Sequence, residues 1–274
     1  MRLAGVFFPA FLVAVCARAA AETAVWLRET TESPRTFRVS VALTVTGKLQ
    51  TAIGGGNAAS LNLNVDGRFQ YRERLLDGVG SGPEALRSVR QYERAEAEVA
   101  VNRQKNVSRL AAGRRRIVAH GRPAGILLYC PDDFLSPDDV MLLQVPADSL
   151  VVPALLPERK LPAGATWTPP KWVLPVLTSV EAVKKSHLTC RLTAVTERLA
   201  TLTFDGKIEG AIYGAMSTIT VTGSAQFDLD RRYLRRVQLT QKEKRMIGSV
   251  APGLEVTATM VLERTPASSA PPLD

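Results

Sequence analysis

The chain is predicted to be mainly β: a curved antiparallel sheet, β-sandwich or half-barrel built from two pseudo-repeated meander halves with one short helix between them. Three observations predict this. Apolar residues recur on every second position over long stretches, one such hairpin pattern returns in the second half of the chain, and a single well-capped helix signal lies between the two copies.

The first hairpin begins with Phe37, Val39, Val41, Leu43 and Val45 in one phase and Arg38, Ser40, Thr44 and Thr46 in the other, the two-residue period of a half-buried strand. The phase continues past Gly47 to Leu49 and Ile53, so Gly47 reads as a bend or bulge within the strand. Turn residues Gly54, Gly55, Gly56 and Asn57 follow. A second run then places Leu61, Leu63, Val65, Phe69 and Tyr71 on one face and Asn62, Asn64, Asp66, Arg68 and Gln70 on the other. Later, Gly206, Lys207, Ile208, Ala211, Ile212 and Gly214 repeat the order of Gly47, Lys48, Leu49, Ala52, Ile53 and Gly55. After a shorter loop, Val221, Gly223, Gln226 and Phe227 stand for Val65, Gly67, Gln70 and Tyr71.

Further alternating runs lie at residues 188–195, 199–204, 233–239 and 254–262. Residues 86–101 mix strand and helix signals, with a strand expected from about Tyr92. The helix signal is Ser136 as cap, Pro137 in the first position, and Asp138 and Asp139 at the positive end of the dipole, followed by Val140, Met141, Leu142 and Leu143. Pro153, Pro157, Pro162, Pro169 and Pro170 then impose an extended connection. The expected organisation is residues 1–21 signal peptide, 22–133 first meander half, 134–172 helical and Pro-rich connection, 173–265 second half, and 266–274 a disordered tail.

The assignment of residues 1–21 rests on Arg2, an apolar run from Leu3 to Val15, and small residues at Ala17, Ala19, Ala20 and Ala21. This is the layout of an export signal, and its apolar run is shorter than the ~20 residues that span a bilayer. A periplasmic or extracellular location follows, with no membrane span once the signal is removed. Cys16 leaves with the signal, and the remaining pair, Cys130 and Cys190, fits one disulfide in an oxidising compartment or two buried thiols. A bridge would close a loop of ~60 residues, worth roughly 4 kcal/mol in the chain-entropy model.

No catalytic or metal motif is present: His120 and His187 are the only histidines, and they stand in no zinc, serine-nucleophile or thiol-nucleophile pattern. Gly78, Gly80 and Gly82 form a loop without the residues of a phosphate cradle, and Asp132, Asp133, Asp138 and Asp139 suit helix capping better than calcium. No cofactor is implied. The Asn106-Val107-Ser108 sequon is assigned no role. The net charge is +9, and the densest basic stretch is Arg103, Lys105, Arg109, Arg114, Arg115, Arg116 and Arg122, a candidate anion-binding segment. A second group follows at Arg231, Arg232, Arg235, Arg236, Lys242, Lys244 and Arg245. An exported protein meets anionic lipid headgroups or envelope polymers before nucleic acid, and aromatic residues are sparse beside these cations, which argues against base stacking.

The connection Leu155-Leu156-Pro157 through Gly164-Ala165-Thr166-Trp167, with the strands after it and the Phe227-Asp228 ending of the repeat, resembles a group of uncharacterised exported bacterial β-rich proteins. That resemblance implies no activity. In architecture alone, the predicted sheet is similar to the periplasmic lipoprotein carriers, in which a curled antiparallel sheet wraps an apolar cavity closed by a helix. The function expected is therefore a non-catalytic envelope protein, structural or binding, holding a lipid or other apolar ligand. A polyanion-binding module using residues 103–122 and an unrecognised hydrolase are the alternatives.

Overall fold

The computed structural model describes residues 24–30, 34–53, 57–78 and 82–272; the expected signal peptide, the turn glycines 54–56 and Gly80 lie outside the described residues. In chain order the strands before the first helix are β1 (Val25–Trp26), β2 (Thr36–Ile53), β3 (Asn57–Leu76), β4 (Arg87–Val101), β5 (Gln104–Arg109), β6 (Arg116–Arg122) and β7 (Gly125–Tyr129). Helix α1 (Pro137–Leu143), β8 (Lys160–Leu161), β9 (Thr166–Trp167) and α2 (Val173–Thr178) form the connection. The second half is β10 (Ala182–Val195), β11 (Leu199–Ile212), β12 (Ala215–Asp228), β13 (Tyr233–Arg245) and β14 (Gly253–Pro266).

The strands form one antiparallel 12-stranded sheet in the order β7-β6-β4-β3-β2-β14-β13-β12-β11-β10-β9, with β5 paired to β4; β1 and β8 make a separate two-stranded ribbon. The two meanders thus meet where β14 pairs with β2, Met260 facing Leu43 and Leu262 facing Val41. The sheet stays open, and α2 packs against both β7 and β10, across the gap between its ends.

One phase of every long strand points inward. Phe37, Val39, Phe69, Tyr71, Leu202, Phe204, Ile219, Val221, Leu239 and Leu262 share a single core with the connection, to which Leu143, Val152, Leu155, Val173 and Leu177 contribute. The connection therefore fills the sheet's concave face as a plug. Its Leu155 and Trp167 are tied by a bond from the Trp167 indole N–H to the Leu155 carbonyl at 2.8 Å.

The repeated hairpins are both present and keep the same inward phase, but their registers differ by two residues: Gly47 faces Leu63, whereas Gly206 faces Val221, the counterpart of Val65. An even shift leaves every side chain on its original face, so the hydrophobic pattern tolerates it. Helix α1 forms as expected. Ser136 caps it by accepting from the Asp139 N–H at 3.2 Å, while the Ser136 N–H donates back to Asp139 at 2.9 Å.

The structure refines or corrects the expected organisation at several points. β4 starts at Arg87 rather than near Tyr92. Residues 102–133, placed in the first meander half with no individual strand named, contain β5, β6 and β7, with Ile117, Ala119 and Gly121 as the inward phase of β6. The connection runs to about residue 180 and includes α2, whose Val173, Leu174, Val176 and Leu177 are all buried, so a helix apolar all round shows no amphipathic period. In the tail, Ala267 N–H donates to the Thr36 carbonyl at 2.9 Å and Pro271 is buried. Cys130, just after β7, and Cys190, in β10, are both buried free thiols, the second of the two alternatives open to the pair. No described helix is long and apolar enough to cross a membrane.

Candidate functional site

Beneath the plug lies a buried polar network. Glu73 on β3 and Ser88 and Arg90 on β4 occupy the inward phase, and Asp148 and Ser149 come from the connection. Arg90, 1% exposed, donates from Nε to Glu73 at 2.9 Å and from Nη1 to Asp148 at 2.8 Å; Ser88 Oγ donates to the same Glu73 oxygen at 2.9 Å. The second Glu73 oxygen is buried without a hydrogen-bond partner. Tyr71 OH meets Ser149 Oγ at 2.8 Å and its ring lies 4.7 Å from that of Tyr92.

Burial pushes the Tyr92 hydroxyl up to about 12 against the pull of the Arg90 charge, and it raises Tyr71 as well. For Arg90, burial works to lower the pKa, but Asp148 and Glu73 outweigh it and keep the guanidinium charged. The network is thus a latch from plug to sheet. A second latch joins the N-terminal segment to the sheet: Arg264, 1% exposed, donates to Glu29 at 2.6 Å and lies 3.9 Å from the Phe37 ring centre.

Beside the first latch, β7 and α2 enclose a cleft of about 150 Å³ lined by Ile126, Leu128, Leu143, Val145, Val176 and Val180, with Asp148 in its wall. That volume suits a benzene-sized group and falls below the ~300 Å³ where pockets for larger ligands begin. The Asp148 carboxylate is already taken by Arg90 and by the Leu150 N–H at 2.9 Å.

The inward apolar phase extends past the core, against whose edge Leu43 and Ala97 still pack. In β11–β13 the inward residues Ile208, Ile219, Val221 and Leu239 are at most 1% exposed. The same phase toward the tip of the first hairpin is only half-buried: Leu43, Val45 and Leu49 on β2, Leu61, Leu63 and Val65 on β3, and Ala97, Val99 and Val101 on β4. These residues are cross-strand neighbours, Val45 facing Val65 and Val65 facing Val99, so they form one continuous patch.

The candidate anion-binding residues do not form one site. Lys105 pairs with Glu98 at 2.7 Å and Arg109 with Glu96 at 3.3 Å across β4 and β5. Arg114 donates to Asp133 at 3.0 Å and to Asp139 at 2.6 Å, and Arg116 Nε to Asp132 at 2.8 Å, so the acidic cluster near α1 meets the arginines before it. Arg103, Arg115 and Arg122 make no ion pair among the described residues. Arg103 and Arg122 lie past opposite ends of the 15-residue strand β4, roughly 50 Å apart along it at the strand rise. Burial pushes the Cys190 thiol up to about 12, leaving it a poor nucleophile. His120 Nε2 sits 3.1 Å from the Glu84 carbonyl. Among the described residues, no group of three His, Cys, Asp or Glu side chains is placed to hold a metal ion.

The latch was missed in the sequence, yet it left a signal: Glu73 continues the inward phase of Phe69 and Tyr71, and Arg90 shares the inward phase that Tyr92 faces. A charge on an apolar phase demands a buried partner. Asp148 lies outside any periodic segment, so nothing local marked it.

No protein-family model matches the chain, and no curated protein matches it. Among solved structures, one of lipovitellin, titled for its lipid–protein interactions, is similar over 88% of this chain at 8% identity and a TM-score of 0.45. The chain spans 26% of that protein. DynF, from the dynemicin biosynthesis pathway of Micromonospora chersina, is similar over 92% of this chain and 88% of its own at 6% identity and a TM-score of 0.22. The overlap in shape is too low for either to bear on function.

Proposed function

We propose that the protein is a non-catalytic, exported envelope protein that binds a lipid or acyl chain along the half-covered inner face of β2, β3 and β4. One observation carries the reading: the apolar phase that the plug buries in β11–β13 continues toward the tip of the first hairpin, where the described residues leave it only half-covered. A buried methylene contributes about 0.8 kcal/mol, so contact with about ten supplies about 8 kcal/mol before ordering costs, the scale of micromolar binding. The export-signal pattern of residues 1–21 supports the compartment. The polyanion reading has less support, because four of the seven cations already hold carboxylates.

Native mass spectrometry of the protein purified from its own envelope, with uptake of a fluorescent fatty acid, tests this. Co-purified lipid and saturable uptake are expected. Leu63→Asp and Val99→Asp abolish uptake with little change in unfolding midpoint, since both sites are half-exposed. Absence of both lipid and uptake in the unaltered protein overturns the proposal.

A further inference from the structure

The tips of two neighbouring hairpins carry an exposed apolar group. Tyr213 is 57% exposed, Met216 42%, Met246 67%, Ile247 42% and Val250 81%. They form one rim: the Met246 N–H donates to the Met216 carbonyl at 3.0 Å, and the loop after β13 folds back over the β11–β12 tip, where a Cβ on Gly248 would meet Ala215 Cβ at 2.9 Å. Exposed apolar side chains are ordinary when scattered and informative when grouped.

Tyr213 is the least expected of them. It is the first residue of a two-residue turn between Ile212 and Ala215 and sits at φ 48°, left-handed, with Gly214 at φ 73°. Such turns favour Asn, Asp or Gly; a bulky side chain there costs conformational energy and has its ring held out into solvent. Tyrosine and methionine suit a boundary that is apolar on one side and wet on the other.

Cations outnumber carboxylates around the rim, where the Glu181 carboxylate accepts from the Tyr213 N–H at 2.9 Å. On the outer face next to it, Lys244 and Lys48 flank Glu255 across β13, β14 and β2, and Lys242 stands one pair further along. The rim also adjoins the half-covered apolar face: a Cβ on Gly253 would meet Ile247 at 2.9 Å, and Leu254 next to it faces Leu49, which faces Leu61. We infer that this rim docks on an anionic lipid bilayer, inserting Tyr213, Met216, Met246, Ile247 and Val250 at the headgroup level while Lys48, Lys242 and Lys244 meet the lipid phosphates. The inference extends the proposed function, since it supplies the route by which an acyl chain passes from membrane to inner face, but it is measured separately.

Co-sedimentation with vesicles tests it, comparing phosphatidylglycerol-containing vesicles with pure phosphatidylcholine, on protein purified from its own envelope. Binding to the anionic vesicles is expected to weaken as salt rises. Tyr213→Asn relieves the turn and so stays folded, yet binds at least about threefold more weakly, and Met246→Ser with Ile247→Ser and Val250→Ser at least about tenfold. Phe134→Ser, at an exposed apolar site outside the rim, leaves binding unchanged. Absence of vesicle binding by the unaltered protein, or equal binding by the rim variants, overturns the inference. So does a dimer of the unaltered protein that the triple variant turns into monomer without any vesicle binding, which assigns the rim to a second copy. Leu63→Asp separates the two readings: it loses fatty-acid uptake and keeps vesicle binding. Vesicle binding by an unaltered protein that shows neither co-purified lipid nor uptake sinks the lipid-binding reading alone.

Discussion

Arg90 joins two parts of the chain far apart in sequence, Glu73 on the neighbouring strand and Asp148 in the plug, in a site where all three are at most 4% exposed. Breaking such a pair costs more than the pair contributes, because the remaining charge stays buried. Arg90→Met is therefore expected to lower unfolding free energy by about 3–5 kcal/mol in urea titration, and adding Glu73→Leu with Asp148→Asn to recover most of the loss. A change under about 1 kcal/mol for Arg90→Met would mean the latch does not form. Tyr92 gives a pH signature. Its hydroxyl is held up at about 12 by burial, against an ordinary 10.0, so from pH 10.0 upward the unfolded chain gives up a proton that the folded chain keeps. This contribution is complete below the ordinary value and is lost as pH rises towards the folded one. Tyr92→Phe is expected to flatten the decline of the unfolding midpoint across that alkaline range, and an unchanged slope would place the burial elsewhere.

At the scale of elements, the repeated glycines explain how strands of this length lie together. A Cβ on Gly47 would fall 2.1 Å from the Glu255 carbonyl, and one on its counterpart Gly206 2.1 Å from the His187 carbonyl, so each lets a neighbouring strand approach closely. Gly223 leaves room both for the Phe204 ring, which its Cβ would meet at 2.2 Å, and for the Gln238 carbonyl at 2.5 Å, while its counterpart Gly67 would meet the Phe69 ring at 3.0 Å. Gly223→Ala is expected to destabilise by about 1–3 kcal/mol and Gly67→Ala by clearly less, compared by chemical unfolding. Equal effects would show that both the Phe204 ring and the strand carrying Gln238 give way at little cost. The positions were legible as a repeat; the neighbours that make the two pairs unequal were not.

For the whole molecule, the open sheet leaves β7 as a free edge, and α2 between β7 and β10 covers the gap that would otherwise invite edge pairing. The same openness leaves the inner face of β2, β3 and β4 only half-covered by the described residues. The sequence by itself determined the long strands of the two repeated hairpins, their inward phase, the capped helix and the repeat, because alternation and capping are local rules acting over a few residues. It determined charge composition but not charge placement: Arg114 and Arg116 looked like a site and became partners of Asp132, Asp133 and Asp139. Only the tertiary structure decided that the connection is a plug, that Asp148 reaches Arg90, that the two cysteines stay apart, and that one stretch of apolar face lies under the plug while another stays open. Each of these depends on how a twisted sheet curls and which segment lies across it, and that is set by packing between residues far apart in the chain, which no local period records.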